Sequence, residues 1–341
     1  MRLIEKAWSG GGVFDRLARV VLLPLEGLYR GLVAVRGALY DAGALPVLKS
    51  PIPVVSVGNL TVGGTGKTPV SAWIAEKLLA EGMSPVIVMR GYGGDESIVH
   101  ARMNPGVPVI VATDRSDGIA LAKASGADVA VLDDAFQHRR AARDVDLVLI
   151  SADDWSDRKR MLPAGPFREP MSALRRASAV IITRKTATDV QVMSAQRSIA
   201  AESMGIPIVV LRLELSELIR ETPPSEKIPV GMLRGKKALA VAAIGNPGAF
   251  FRQVEAEGAF VDSMSYPDHH RFTASDVAEL AARSVSYDVV VCTLKDAAKL
   301  GPMWPAGSAP LWYVSLAVRV ESGEAVIDAL MMRLRGRIAV N

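Results

Sequence analysis

The chain holds one cysteine in 341 residues, Cys292. That excludes an internal disulfide framework and any zinc site built on thiolates, and it suits a reducing compartment. Aromatic residues are scarce, with five Trp and six Tyr. The basic side chains are scattered, and the net charge of +4 with a pI of 9.2 is mild. No nucleic-acid-binding signature results, so nucleic acid is not an expected partner. A long uncharged apolar run is missing too. The most apolar early stretch, Arg19 to Leu48, is broken by Pro24, Glu26, Arg30, Arg36 and Asp41, whereas a spanning helix needs about 20 mostly uncharged residues. Residues Met1 to Phe14 mix charged and apolar side chains and do not read as a secretory signal.

The early stretch has a different use. Val21, Leu25, Leu28, Leu32 and Val35 recur at helical spacing on one face, and Arg16, Arg19, Glu26 and Arg30 gather on another. Pro24 is expected to kink or start a helix. Two readings fit: a basic amphipathic helix resting on an anionic membrane surface, or a helix packing its apolar face on its own domain.

Half of the residues are hydrophobic, enough for two packed domains in a chain of this length. The most informative segment is Gly58 to Pro69, with Gly63-Gly64-Thr65-Gly66-Lys67-Thr68 at its centre. It follows an apolar run, Ile52 to Val57, and precedes an apolar-periodic one, Val70 to Leu79. Strand, glycine-rich loop, Lys-Thr and helix make a phosphate-binding loop, in which backbone N–H groups and the helix N-terminus surround phosphate oxygens. Lys67 then reaches the β- and γ-phosphates and the Thr68 hydroxyl ligates Mg²⁺. Thr61 stands where the strict pattern has glycine.

Apolar strands at 85–89, 107–112, 128–132, 144–150 and 177–183 alternate with polar or helical segments, as do later strands at 208–213, 237–244, 287–293 and 311–318. The expected fold is α/β: a P-loop NTPase-like, mostly parallel sheet lobe with a second, smaller α/β lobe. We expect an amphipathic membrane-associated region at 1–50, the nucleotide-binding lobe at 51–200 and the second lobe at 201–341, with a final helix able to pack back on the first lobe. The polar stretch Glu217 to Pro229 separates the early from the late elements.

Ligands bind beyond the carboxyl ends of strands in such sheets. Asp133-Asp134 ends an apolar strand, in the manner of a Walker B element that holds Mg²⁺. Asp95 and Glu96 sit in a glycine turn, where a carboxylate can accept a proton from an attacking hydroxyl. Asp268-His269-His270 follows a proline, and can pair a carboxylate, contact phosphate or bind metal. Arg168 and Glu169 lie in a proline-framed loop, and Arg168 suits a bidentate phosphate clamp.

Together these motifs resemble the tetraacyldisaccharide 4′-kinase family. The resemblance covers nearly the whole chain: Gly58 to Pro69, Arg90-Gly91-Tyr92-Gly93, Gly94-Asp95-Glu96, Leu132 to Arg140, Leu162 to Pro170, Ile244 to Pro247, Pro267 to Thr273 and Lys295 to Leu300. It implies ATP and Mg²⁺ as cofactors and a lipid A disaccharide precursor as acceptor. It also implies a peripheral or monotopic place on the cytoplasmic face of the bacterial inner membrane, an anionic surface, with no obligate protein partner. By the same resemblance Lys67 binds phosphate and Thr68 with Asp133 and Asp134 holds Mg²⁺. Asp95 is the base, aided by His269 or else His270. Arg90, His138, Arg168 and Glu169 are candidates for substrate phosphate or lipid. The chain departs from the family at Ala135 and Leu294, where Gly and Glu are usual, and in a shortened segment before Asp95. Two alternatives stay open: an ATPase switch with a deviant phosphate loop that regulates a protein, and a non-catalytic lipid-binding protein. An Asn-Lys-x-Asp motif is absent, which argues against a GTPase.

Overall fold

The apolar runs become the buried strands of one sheet. A computed structural model describes residue 8 and residues 12–91, 95–156, 158–203, 205–222 and 225–338; the side chains of residues 13–19 and 95 lie outside that description. Helix α1 (Val13–Asp41) leads into strand β1 (Val54–Asn59), helix α2 (Lys67–Ala80), β2 (Pro85–Met89), α3 (Asp95–Met103), β3 (Val109–Val111), α4 (Arg115–Ala124), β4 (Val129–Asp133), β5 (Val145–Ser151) and β6 (Ala179–Arg184). Then come α5 (Asp189–Glu202), β7 (Ile208–Arg220), β8 (Lys227–Pro229), β9 (Lys237–Ala242), α6 (Pro247–Ala256), β10 (Phe260–Ser265), α7 (Ala274–Ser284), β11 (Val289–Thr293), α8 (Leu294–Leu300), β12 (Leu311–Ser322) and α9 (Glu324–Ile338).

The strand order is β10-β9-β11-β12-β7-β6-β5-β1-β4-β2-β3, with β8 paired to β7. β1, β2, β4 and β5 are buried along their whole length, as expected where helices cover both faces. The first block, β3 to β7, is parallel; β9 to β12 form a second parallel block. The two meet through one antiparallel pair, β7 with β12. The register explains the geometry. The first half of β7 pairs with β6, Ile208 to Arg212 opposite Val180 to Arg184. Its second half runs on to the start of β12, Arg220 opposite Trp312, where β12 also pairs with β11. The second block therefore lies beyond the carboxyl edge of the first, and its strands run back toward it. The carboxyl ends of both blocks face each other.

Several expectations needed correction. The stretch Glu217 to Pro229 is no separator; it continues β7 and supplies β8. The turn expected at Asp95-Glu96 is the first turn of α3. α1 runs through Pro24 without starting there. Helix α9, by contrast, lies where the final helix was allowed to pack, on the first block: Ile327, Met331 and Leu334 share a core with Val55, Val70 and Ile74.

Of the two readings of α1, packing of the apolar stripe on its own domain does not hold. Val21, Leu25, Leu28, Leu32 and Val35 are all exposed, Val21 at 72% and Leu28 at 63%. Glu26 is buried instead, accepting from the Met161 amide at 2.9 Å and facing Arg30 and Arg160 at 3.3 and 3.4 Å. Tyr29 and Val33 pack on the core beneath. The helix is held by its mixed face and shows its apolar face outward. Arg16 and Arg19 fall among the side chains outside the description.

One buried carboxylate carries a stability cost. Burial pushes the Asp146 carboxyl up to about 6 from its ordinary 3.8, against the pull of Arg143, 3.2 Å away. The folded state thus holds the proton more tightly than the unfolded chain, and stability falls as pH rises from about 4 through about 6. Asp146→Asn should remove that fall. Between pH 4.5 and 7.5 its stability relative to the parent should rise by on the order of 1–3 kcal/mol, read from denaturant midpoints; a difference independent of pH would contradict the assignment.

Candidate functional site

The phosphate loop is shaped by left-handed glycines and by hydrogen bonds from two strands and the proline-framed loop. Gly63 and Gly66 have φ of 113° and 85°, values that favour glycine. A Cβ on Gly66 would also stand 2.6 Å from Leu213 Cδ1. Thr61 needs no such freedom: it is not among the positive-φ residues and bridges Phe167 in antiparallel fashion. The Asn59 amide donates to Thr65 Oγ1 at 3.0 Å, and Thr183 Oγ1 donates to the Thr65 carbonyl at 2.8 Å. The proline-framed loop locks on: Val62 N donates to Pro166 O at 2.8 Å and Arg168 N to Leu60 O at 2.7 Å. α2 begins at Lys67 with no side-chain cap and no acidic residue in its first turn, which leaves its N-terminus electrostatically open to an anion.

Three charged groups converge there. Asp134, with φ of 49°, turns its carboxylate toward Lys67 Nζ at 3.7 Å and Arg168 NH1 at 2.9 Å. Burial draws the Lys67 pKa below the ordinary lysine range; Asp134 opposes that and Arg168 adds to it. A phosphate group would supply counter-charge to both cations. Asp133 points elsewhere. It is buried, with Oδ2 2.8 Å from His100 Nε2 and Oδ1 accepting from Ser71 Oγ at 3.0 Å. Burial works against its ionisation, yet His100, Lys67 and Ser71 hold its pKa below the ordinary carboxylate range.

The other candidates are distributed as follows. Glu169 is buried against Arg176 at 2.9 Å, whose guanidinium covers Phe136. His138 pairs with Asp114 at 3.3 Å beside Arg140; burial lowers its pKa and Asp114 opposes. Arg90 is exposed just after β2. Asp95 heads α3, its side chain outside the description, and the adjoining Glu96 pairs with Lys295 at 3.7 Å. Tyr92, Gly93 and Gly94 lie outside the described residues.

The second block brings its own strand ends to this place. A Cβ on Gly245 would stand 3.4 Å from the Gly64 amide nitrogen and 3.5 Å from Asp268 Oδ2. Asn246 donates to Asp154 at 2.7 Å, joining the blocks. The buried Asp296 accepts from the Ala243 amide, whose carbonyl takes the His269 amide. His269 has φ of 57° and an imidazole about half exposed, 3.9 Å from Asp268. His270 is occupied: its ring stacks on Tyr266 at 4.9 Å, meets Phe272 edge-on and bonds Asp276 at 3.0 Å.

Two participants escaped the sequence reading. Lys185 is half-buried, with Nζ 3.5 Å from the Gly64 carbonyl. Burial lowers its pKa, while Asp154 and Asp153 oppose. Its signal was a basic residue just past a strand end. His100 left no signal beyond being a lone histidine among apolar neighbours.

A family model for Tetraacyldisaccharide-1-P 4'-kinase matches residues 18–335. Relatives of that name include one from Anaeromyxobacter dehalogenans, 36% identical with 96% of this chain and 94% of the relative covered. Another, from Azoarcus, is 35% identical, with 93% and 92% covered. Among solved structures, an LpxK from Aquifex aeolicus in complex with ATP aligns with a TM-score of 0.72 and 30% identity, covering 93% of this chain and 99% of that one. The strand-end motifs, their convergence and these matches have one reading: the chain belongs to the tetraacyldisaccharide-1-P 4'-kinase family.

Proposed function

We propose that this enzyme transfers the γ-phosphate of ATP to the 4′-hydroxyl of a tetraacylated glucosamine disaccharide 1-phosphate, giving lipid IVA in lipid A biosynthesis. The observation that supports it most is the meeting of Lys67, Arg168 and Asp134 at the uncapped start of α2, beneath the strand ends of the second block. Gly63 to Thr68 would cradle the ATP phosphates through backbone N–H groups. Lys67 and Arg168 would neutralise charge on the moving phosphoryl group, where positioning and electrostatics do most of the work.

The oxygen donors suit Mg²⁺. Among the described residues no cluster of three or more His, Cys, Asp or Glu could hold a metal, and Mg²⁺ in kinases is commonly held by one or two carboxylates together with substrate phosphates. Thr68 and Asp134 would ligate it, with Asp133 behind them. Held there, Mg²⁺ would supply positive charge that offsets the charge of the phosphates. Asp95 would accept the proton of the 4′-hydroxyl. His269 is the better candidate than His270 for assisting it, because His270 is engaged by Tyr266, Phe272 and Asp276.

Among the described residues no helix is long and apolar enough to cross a membrane. The outward apolar face of α1 would instead rest on an anionic surface at the cytoplasmic side of the inner membrane, presenting acyl chains to the site. Tyr29 on the inner face donates to the Arg168 carbonyl at 3.0 Å, so α1 reaches the same loop as the phosphate clamp.

Incubation with γ-labelled ATP and the lipid disaccharide should yield labelled lipid. Lys67→Ala should reduce labelling by on the order of 10²-fold or more without changing the melting temperature. Hydrolysis of ATP without lipid labelling would favour the switch reading. His269→Ala should lower kcat by about 10²-fold at unchanged melting temperature. His270→Ala should lower the melting temperature and spare kcat in the folded protein; the reverse pattern would exchange their roles. For α1, Leu28→Gln with Leu32→Gln should abolish flotation with anionic vesicles. Because both side chains are exposed, stability should stay within about 0.5 kcal/mol. Equal activity losses on vesicle-borne and detergent-dispersed lipid would contradict the interfacial role.

A further inference from the structure

α3 carries the proposed base at its start and a buried histidine one and a half turns later. His100 is fully buried, and its Nε2 lies 2.8 Å from Asp133 Oδ2. The other ring nitrogen has no hydrogen-bond partner among the described residues, so a single polar contact orients this ring. Asp133 is itself fixed: Ser71 of α2 donates to its second oxygen, and Arg115 donates to its backbone carbonyl at 3.0 Å. The bond therefore ties α3 to the end of β4, the residue before Asp134, and to the helix that begins with Lys67.

Three further contacts bound the same helix. Asn104, just past its end, donates to the Ala72 carbonyl of α2 at 2.6 Å. Arg102 pairs with Glu221 at 2.7 Å and Glu96 with Lys295 at 3.7 Å, both partners lying in the second block's portion of the chain. These two ion pairs are on the surface side of α3, where such contacts are individually weak. Among the described residues, the fully buried polar contact of α3 to the nucleotide-binding block is His100 with Asp133. Rise along a helix places Asp95 about 7.5 Å from His100, close enough for a rigid turn and a half to carry position from one to the other.

We infer that His100 is a positioning residue for phosphoryl transfer: by holding Asp133 it sets the depth and rotation of α3, and so presents Asp95 to the phosphate loop. It also keeps both Asp133 oxygens on protein donors, which leaves Asp134 as the carboxylate facing Lys67 and Arg168. This rests on reading Asp95 as the base.

The test uses the full chain with ATP, Mg²⁺ and dispersed lipid acceptor. Kinetic constants are measured together with ATP affinity by calorimetry and amide hydrogen exchange. In His100→Leu, kcat should fall roughly 10- to 100-fold, the scale of a misplacement near 1 Å. The ATP Kd should stay within about threefold, since the phosphate loop keeps its own contacts. Amides of residues 96–103 should exchange faster while those of 70–80 keep their protection. His100→Gln, whose amide can still donate to Asp133, should recover most of the turnover. If the Leu variant does not fold, His100→Asn, too short to reach, should show the same split. Turnover within about twofold of the parent would overturn the inference. So would parallel loss of ATP affinity and kcat with uniformly faster exchange, the mark of general loosening. A Gln variant as slow as the Leu variant at equal melting temperature would also overturn it. Asp95→Asn is assayed alongside: if it keeps full turnover the base reading fails by itself, whereas an inactive Asp95→Asn with a normal His100→Leu defeats the positioning role alone.

Discussion

The antiparallel pairing of β7 with β12 is the constraint on which the rest depends. Each parallel block by itself would direct its strand ends, and whatever they carry, in one direction. A single reversed pair, with β7 long enough to serve both blocks, sets the two carboxyl edges against each other. The motifs sit on those edges: the phosphate loop after β1, Asp134 after β4, Lys185 after β6, Gly245 after β9 and Lys295 after β11. Helix N-termini point to the same place, so the backbone contributes partial positive charge before any side chain is counted. A kinase that must shield a phosphoryl group from water gains from such an arrangement, because both walls of its cleft are rigid sheet edges rather than free loops.

Within the cleft positive charge is concentrated at the start of α2. Burial draws the Lys67 pKa down against the pull of Asp134 and Asp133. Arg168 shares that same carboxylate. Two cations on one acid leave positive charge unmet, and the uncapped α2 terminus adds to it. On the proposed reading, such preorganisation would favour a phosphate-bound form. The second aspartate shows the opposite economy: His100 and Ser71 satisfy both of its oxygens.

Much of this was legible from local pattern. The phosphate loop, the strand-ending Asp133-Asp134 and the alternation of strands and helices are short-range signals, and the strand expectations from Pro85 to Thr183 fell within a few residues of the observed ones. What was illegible depends on distant partners. Glu217 to Pro229 looked like a polar linker because its strand pairs on one side with a segment nearly a hundred residues later, Leu218 opposite Val314. The turn at Asp95 looked open because glycines precede it, yet Asn104 and His100 tie the following residues into a helix. The difference between His269 and His270 is invisible in the sequence: it lies in which ring Tyr266 and Asp276 engage.

The orientation of α1 follows from the same kind of long-range accounting. Periodicity found its apolar stripe but could not say which way it faces, so a membrane surface and the helix's own domain both stayed open as its partner. Glu26 decides otherwise. The Met161 amide and two arginines, one of them Arg160 in the loop leading to Arg168, give a buried carboxylate the partners it requires. Rotating the stripe inward would take this acceptor from the Met161 amide and break the Tyr29 bond to the Arg168 carbonyl. The helix thus trades apolar burial in its own fold for a polar anchor, which leaves Val21, Leu25, Leu28, Leu32 and Val35 available to a hydrophobic phase. A soluble protein has little to gain from that exchange. An enzyme whose acceptor carries four acyl chains would have a reason for it: on the proposed reading, the face offered to the lipid is fastened by its reverse side, through Tyr29, to the loop that holds Arg168.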